Sequence, residues 1–256
     1  MKTTITILGS GTCVPSLKRS SCSVLIEMAQ EKLLLDSGPG TMHRLLQTGV
    51  EIFELTHICY SHFHPDHTGE LVPLLFANKY PDACKRNRPL ALFAGKGFNR
   101  FFSGLKSVYG EWIDLRPGML TVTEIDGSRY FAKKFNTFQI ETISVNHREE
   151  SIAYKITPPN GLTVVYSGDT DYSDNLISLA QNADLLICES ALPDDKKVPG
   201  HLSPSLAGRI ATSAGVKKLV LTHLYPECDQ VDIAAQCRKT YQGALIIAED
   251  LMQITL

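Results

Sequence analysis

The sequence predicts a single α/β domain over residues 1–256, with two β-sheets packed face to face and helices outside. Three observations predict it. Hydrophobic residues make up 43% and charged residues 20% of the chain, enough apolar material for a sizeable core without a metal or disulfide staple. Each half of the chain is strand-rich first and helix-rich later. No low-complexity linker or short repeat divides the halves.

The elements follow in order. "TTITILGSG" alternates and ends in glycines, a first strand running into a loop. "SCSVLIEM" and "EKLLLDSGPG" form a strand pair across a short polar turn. "TMHRLLQTGV" places Met42, Leu45 and Leu46 at helical spacing, with Gly49 beyond the end. "LTHICYSH" is β-rich, "LVPLLFANKY" helical, "PLALFAG" a strand, and Gly97 to Tyr109 a helix with aromatic anchors. In the second half, "FNTFQIETISVNH", "SIAYKIT" and "GLTVVYSGDT" are strands, and Asn175 to Ala180 is a short helix before the strand "ADLLICES". The best-signalled helix runs from Ser203 to Gly215, with Ser203 as N-cap, Pro204 at the first position and Leu206 and Ile210 on one face. "KLVLTH" is a strand, Asp232 to Tyr241 a helix and "ALIIAED" the last strand.

Composition narrows the function classes. A net charge of -2 excludes a globally basic nucleic-acid binder and leaves only local patches: Lys85, Arg86 and Arg88; Lys133 and Lys134; Lys217 and Lys218. Each reads as a solvated loop or turn. Seven scattered cysteines without a C-x-x-C pair suit a reducing compartment and exclude a zinc ribbon. The N-terminus carries no basic stretch followed by a long apolar one, so a cytoplasmic protein without membrane contact is expected.

The chemistry concentrates in "SHFHPDH". Residues two apart in an extended chain point the same way, so His62 and His64 can present both rings to one ion. Pro65 bends the chain, and Asp66 and His67 can face a second position. Neutral imidazoles with a carboxylate suit zinc, and also manganese or iron. Two ions need more ligands, and three candidates each close a predicted strand: His147, Asp169 and His223. His43 and His57 read as structural.

"SHFHPDH", His147, "YSGDT" and "LTHLYP" together resemble the metallo-β-lactamase superfamily of binuclear hydrolases, over nearly the whole chain. The resemblance implies a four-layer αββα sandwich of two mixed sheets. It implies two divalent ions, with Zn2+ first and Mn2+ or Fe as alternatives. His62, His64 and His147 would hold one ion, Asp66, His67 and His223 the other, and Asp169 would bridge them. A bridging hydroxide would be the nucleophile, because a bound ion lowers the pKa of water toward neutrality. Class B β-lactamases usually have Arg in place of His67 and Cys in place of Asp169, which argues against β-lactam cleavage.

Two further stretches look like the ribonuclease Z branch: "LGSGTCVPSLKRSS", and "CES" at 188–190 followed by "GHLSP" at 200–204. That resemblance implies phosphodiester hydrolysis, with Asp66, Glu189 and His201 as catalytic residues. His201 would protonate the leaving alkoxide, and Glu189 would orient and charge it. His201 also precedes the Ser203 N-cap, where free N–H groups attract a phosphate. One feature departs from the branch. Its long tRNA-gripping arm usually lies between the third ligand and the bridging Asp, where this chain has "REESIAYKITPPNGLTVVYSG", two strands and a turn. The expected partner is therefore a phosphodiester, either a small or cyclic diester or RNA. A thioester or lactone hydrolase of the glyoxalase II type shares the metal pattern and is the alternative. A metal-free binding protein is the third reading. The aromatic-rich segment 97–118 reads as core, with a substrate mouth or a homodimer contact as alternatives.

Overall fold

Side-chain alternation sets the architecture. In β1 (Thr3–Gly9), β2 (Ser23–Met28) and β3 (Glu31–Leu35), residues Ile5, Ile7, Val24, Ile26, Leu33 and Leu35 all fall in one buried cluster. Their neighbours Leu8, Leu25 and Leu34 fall in another. In β10 (Val164–Tyr166), β11 (Leu185–Glu189) and β12 (Lys218–Thr222), Val164, Tyr166, Leu185, Ile187 and Val220 join the first cluster. Val165, Leu186, Cys188, Leu219 and Leu221 form a third. Two sheets thus share one inner core, and each has a second apolar face. That second face is covered on one side by α1 (Thr41–Gln47), α3 (Leu71–Lys79) and α4 (Phe98–Tyr109). On the other side lie α5 (Asp174–Leu179), α6 (Pro204–Ser213) and α7 (Ile233–Arg238). This is the predicted αββα sandwich, seen in a computed structural model that describes residues 2–79 and 86–256.

The remaining strands are β4 (His57–Tyr60), β5 (Leu90–Gly95), β6 (Leu120–Ile125), β7 (Phe131–Lys134), β8 (Gln139–Ser144), β9 (Ile152–Thr157), β13 (Ala244–Ile247) and β14 (Met252–Thr255). Among the described residues the sheets run β14-β1-β2-β3-β4-β5-β6 and β13-β12-β11-β10-β9-β8-β7. Strands β3 to β6 are mutually parallel, as are β10 to β13. Strand β8 also runs with β10, since both pair antiparallel with β9. The C-terminal ends of β8, β10, β11 and β12 therefore share one edge, the usual place for a site in such sheets.

Several expectations need correction. The strand "ALIIAED" is not the last: β14 follows it and pairs with β1. Strands β6 and β7 were not foreseen either. All three are edge strands, short and half-exposed, so they carry little apolar alternation. Leu46 is 58% exposed, and α1 turns inward on Leu45 instead. The 97–118 segment divides: Phe98 and Phe102 are core, whereas Trp112 is 56% exposed.

The basic clusters divide: Lys217 and Arg88 are exposed in bends as expected, whereas Lys133 and Lys134 are exposed on strand β7 and Arg86 is buried. Lys217 pairs with Asp184. Arg86 gives hydrogen bonds to Asn78 and to the carbonyls of Ile52, Leu55 and Arg88. Lys85 lies outside the described residues. Among the described residues no helix is long and apolar enough to cross a membrane.

Candidate metal centre

Strand β4 delivers the chain to Ser61, from which it runs extended through His64. His64 caps the short helix α2 (Pro65–Thr68), with Pro65 at its first position and the His67 and Thr68 amides donating to the His64 carbonyl. The bend at Pro65 sets Asp66 and His67 beside the extended pair, with the His62 and His67 ring centroids 4.2 Å apart. Across the cleft, Gly168 lets the loop after β10 pass against Ser61. It has φ +57°, and a Cβ there would sit 2.4 Å from the Ser61 Cβ, so only glycine fits. His223 follows β12 with φ +57°, a left-handed conformation uncommon outside glycine, which costs about 1–3 kcal/mol and turns the ring into the site.

The structure brings all seven sequence-predicted metal residues together. One group is His62, His64, His147 and Asp169, a second is Asp66, His67 and His223, and a third, Asp169, His201 and His223, overlaps both and brings in His201. His64 Nδ1 lies 3.0 Å from His62 Nε2 and 3.3 Å from His147 Nε2. Asp169 Oδ2 lies 3.6 Å from His62 Nε2 and 3.9 Å from His147 Nε2. Its other oxygen, Oδ1, lies 3.2 Å from His67 Nε2 and 3.3 Å from His223 Nε2. Asp66 Oδ2 lies 3.5 Å from His223 Nε2. Ligand atoms about 2.0–2.1 Å from one tetrahedral ion lie roughly 3.3 Å apart, so the first two groups have the dimensions of a cation cage with Asp169 between them.

The buried polar atoms support the fit. His67 Nε2, His223 Nε2 and Asp169 Oδ1 have no hydrogen-bond partner, yet all are shielded from water. Three such orphaned atoms, with both nitrogens within 3.3 Å of the one carboxylate oxygen, are costly unless a cation sits among them. The outer nitrogens of most ligands are held. His147 Nδ1 donates to the Gly200 carbonyl at 2.8 Å, His62 Nδ1 contacts Ser61 Oγ at 3.1 Å, and His67 Nδ1 donates to Asp36 Oδ2 at 2.7 Å.

Asp36 was not anticipated from the sequence. It is fully buried at the end of β3 with φ +57°, and it also accepts from Ser61 N, Ser61 Oγ and Tyr166 Oη, each at 2.7 Å. Its sequence signal was available: like Asp169, it closes a predicted strand.

Burial and the neighbouring His67 push His62 well below the usual imidazole range, and burial also lowers His147, so both favour the neutral ligand form. His67 differs. Burial would lower it, but the carboxylates of Asp169 and Asp36 hold it well above the ordinary value. An entering ion must displace that proton. Metal affinity is therefore expected to fall as pH drops below the raised His67 value and on through the ordinary imidazole range, with protons released on loading. Chelator competition across that range checks this, and a flat profile would contradict it.

Glu189 and His201 lie at the rim of the cage. Glu189 Oε1 accepts from Thr170 N at 2.7 Å and His201 Nδ1 at 3.0 Å, and Oε2 from Ala191 N and Leu202 N at 3.2 and 3.1 Å. His201 stacks on His223, with centroids 5.6 Å apart and planes at 10°. Burial lowers its pKa, but the Glu189 hydrogen bond and charge outweigh burial and lift it to about 9. His201 is thus protonated at neutral pH, with Nδ1 occupied. At the start of α6, where amides were expected to attract a phosphate, two are already engaged. Glu189 takes Leu202 N and Asp194 takes Ser205 N, so carboxylates already hold amides at that end. His43 lies exposed on α1, and His57 is buried against Phe93, Phe135 and Phe138, away from the cage.

Residues 31–224 match the Beta-lactamase superfamily domain. The chain is 27% identical over 301 residues to Ribonuclease Z of Salinispora arenicola, covering 98% of this chain and 95% of that one. Its fold is like that of the metallo-beta-lactamase fold protein YhfI from Bacillus subtilis (TM-score 0.84, 24% identity, 100% and 99% covered). It is also like that of human tRNase Z, short form (TM-score 0.78, 23% identity, 98% of each chain). With the superfamily domain spanning most of the chain and the His/Asp clusters in place, the protein belongs to the metallo-β-lactamase superfamily and is ribonuclease Z-like.

Proposed function

We propose that this metallohydrolase cleaves phosphodiesters, with a small or cyclic diester preferred over pre-tRNA. The observation that carries the reading is the Glu189–His201 pair at the rim of the cage, an imidazole held through Nδ1 by a buried carboxylate that lifts its pKa to about 9. Loss of an alkoxide from phosphorus needs a proton donor beside it. Glu189 fixes the ring through Nδ1, stacking on His223 fixes its plane, and Nε2 remains to give its proton to the leaving oxygen. Two divalent ions held by His62, His64, His147, Asp66, His67, His223 and Asp169 would supply charge stabilisation and an activated water. Asp66 would serve there as a ligand, beside a cleft of about 470 Å³ whose lining includes Thr12, Cys13, Val14, Ser16 and Arg19. That volume suits a small substrate.

The preference for small substrates rests on the missing arm. Between His147 and Asp169 the chain is consumed by β9, a turn closed by Gly161 N to the Pro158 carbonyl, and β10. The alignment to the ribonuclease Z relative spans 301 residues against 256 here, so that relative carries insertions this chain lacks. A panel of bis(p-nitrophenyl) phosphate, cyclic nucleotides, pre-tRNA and S-lactoylglutathione tests the proposal. Turnover of the small diesters with weak or absent 3′ processing is the expected result. Efficient pre-tRNA cleavage would overturn the size preference, and thioester turnover without diester turnover would favour the glyoxalase II-type alternative.

A further inference from the structure

Asp171 is the acid two residues beyond Asp169, and the assignments above give it no role. Its Oδ2 accepts from Gly200 N at 3.0 Å and Lys197 Nζ at 2.6 Å, and its Oδ1 from Tyr172 N at 2.8 Å. Its own amide donates to the Asn146 carbonyl at 2.7 Å, and Asn146 N returns a bond to Thr170 Oγ1 at 3.1 Å. Gly200 is the junction. Its carbonyl accepts from His147 Nδ1, and the next residue is His201. Gly200 has φ +85°, and a Cβ there would lie 3.2 Å from His147 Nδ1, so the glycine backbone is pressed against the ligand ring. Gly200 therefore borders both a metal-site histidine, through its carbonyl, and the proposed proton donor next in the chain, and its amide is tied to Asp171.

We propose that Asp171 is a positioning residue: through Gly200 it sets the ring of His147 and the placement of His201 together. The part concerning His201 rests on the phosphodiesterase reading; the part concerning His147 does not. If the tie is cut, the Gly200 carbonyl loses a constraint on its direction, His147 loses a firmly placed acceptor, and the 197–201 turn keeps its Glu189 bonds and the His201 N bond to the Val198 carbonyl. Two effects that are otherwise unrelated should then move together.

The test uses the full-length protein loaded with Zn2+ or Co2+, comparing Asp171→Ala, Asp171→Asn and Lys197→Met with wild type. Chelator competition measures the two metal affinities, and His64→Ala marks the step that belongs to the three-histidine group. Asp171→Ala is expected to weaken that step by roughly 10- to 100-fold, the usual effect of losing a partner behind a metal ligand, and to spare the other. It should also lower kcat more for an alkyl-leaving diester than for a p-nitrophenyl one. Asp171→Asn keeps an acceptor for Gly200 N and should restore part of both losses. Lys197→Met removes only a partly exposed ion pair and should change either quantity by no more than about fivefold. Wild-type metal affinity in a folded Asp171→Ala, or in Asp171→Asn should the alanine variant not fold, together with an unchanged leaving-group dependence, would overturn the proposal. So would a Lys197→Met variant as impaired as Asp171→Ala. A wild-type protein inert toward every diester would remove the functional reading, while the metal titration would still decide the role of Asp171.

Discussion

Replacing His64 by alanine is expected to remove one metal ion per chain and nearly all hydrolysis, by roughly 10³-fold or more. The scale follows from simpler deletions: one lost preorganised donor already costs about 10²–10³, and here a ligand of the catalytic ion is lost. His64 is the informative choice among the ligands. Its Nδ1 faces both His62 and His147, so it is the atom through which the three histidines meet. It is only half-buried, whereas His62 and His67 are fully buried, so truncation opens no deep cavity. Its capping of α2 uses the backbone carbonyl, which alanine keeps. The fold and the second cage of Asp66, His67 and His223 should therefore survive. Elemental analysis alongside turnover of a small diester checks the outcome. Full activity with normal metal content would show that the His62, His64 and His147 group is not a metal site.

What the sequence made legible, and what it hid, divides along physical lines. The cage was readable because its first four members are local, and extended backbone followed by a proline-started turn dictates which side each faces. The distant members were readable because each follows an apolar strand within three residues, and the ends of strands running the same way converge on one edge. The same signal marks Asp36 in "LLLDSG", yet a lone aspartate before Ser-Gly reads equally as turn chemistry. Only the fold shows Tyr166 reaching across the inner core to it. Arg86 was misread for a related reason: charge predicts solvent unless enough acceptors are waiting, and the carbonyls of Ile52 and Leu55 lie more than thirty residues away. The edge strands β6, β7 and β14 carry weak patterns because half of each faces water. At the start of α6 the boundary was legible and the state of its amides was not. Ser203 and Pro204 do begin the helix, but buried Glu189 and nearby Asp194 already hold amides there, which sequence spacing could not reveal.

The His201→Ala variant should retain both metals, because His201 lies at the rim and its Nδ1 is engaged by Glu189 at 3.0 Å. Its kcat should fall by roughly 10²- to 10⁴-fold, the range for a lost general acid. The loss should depend on the leaving group. A p-nitrophenolate departs without a proton, so its diester should be cleaved at close to the wild-type rate. An alkyl or ribose alkoxide is a poor leaving group until protonated, so its diester should show the full loss. Glu189→Gln should give a milder form of the same pattern, since the imidazole remains but loses the carboxylate that raises its proton affinity. That substitution is not innocent. Glu189 also accepts from Thr170 N, Ala191 N and Leu202 N, and an amide has one acceptor oxygen where the carboxylate has two. The loop beyond β11 should therefore loosen, and a lower melting temperature is expected for Glu189→Gln than for His201→Ala. The quantity that decides the role is the ratio of variant to wild-type kcat across diesters of graded leaving-group pKa. A ratio that falls steadily as that pKa rises assigns proton transfer to His201. A constant ratio with both metals retained would assign it to holding the phosphate, which an imidazolium at the mouth of the cage could do by charge alone.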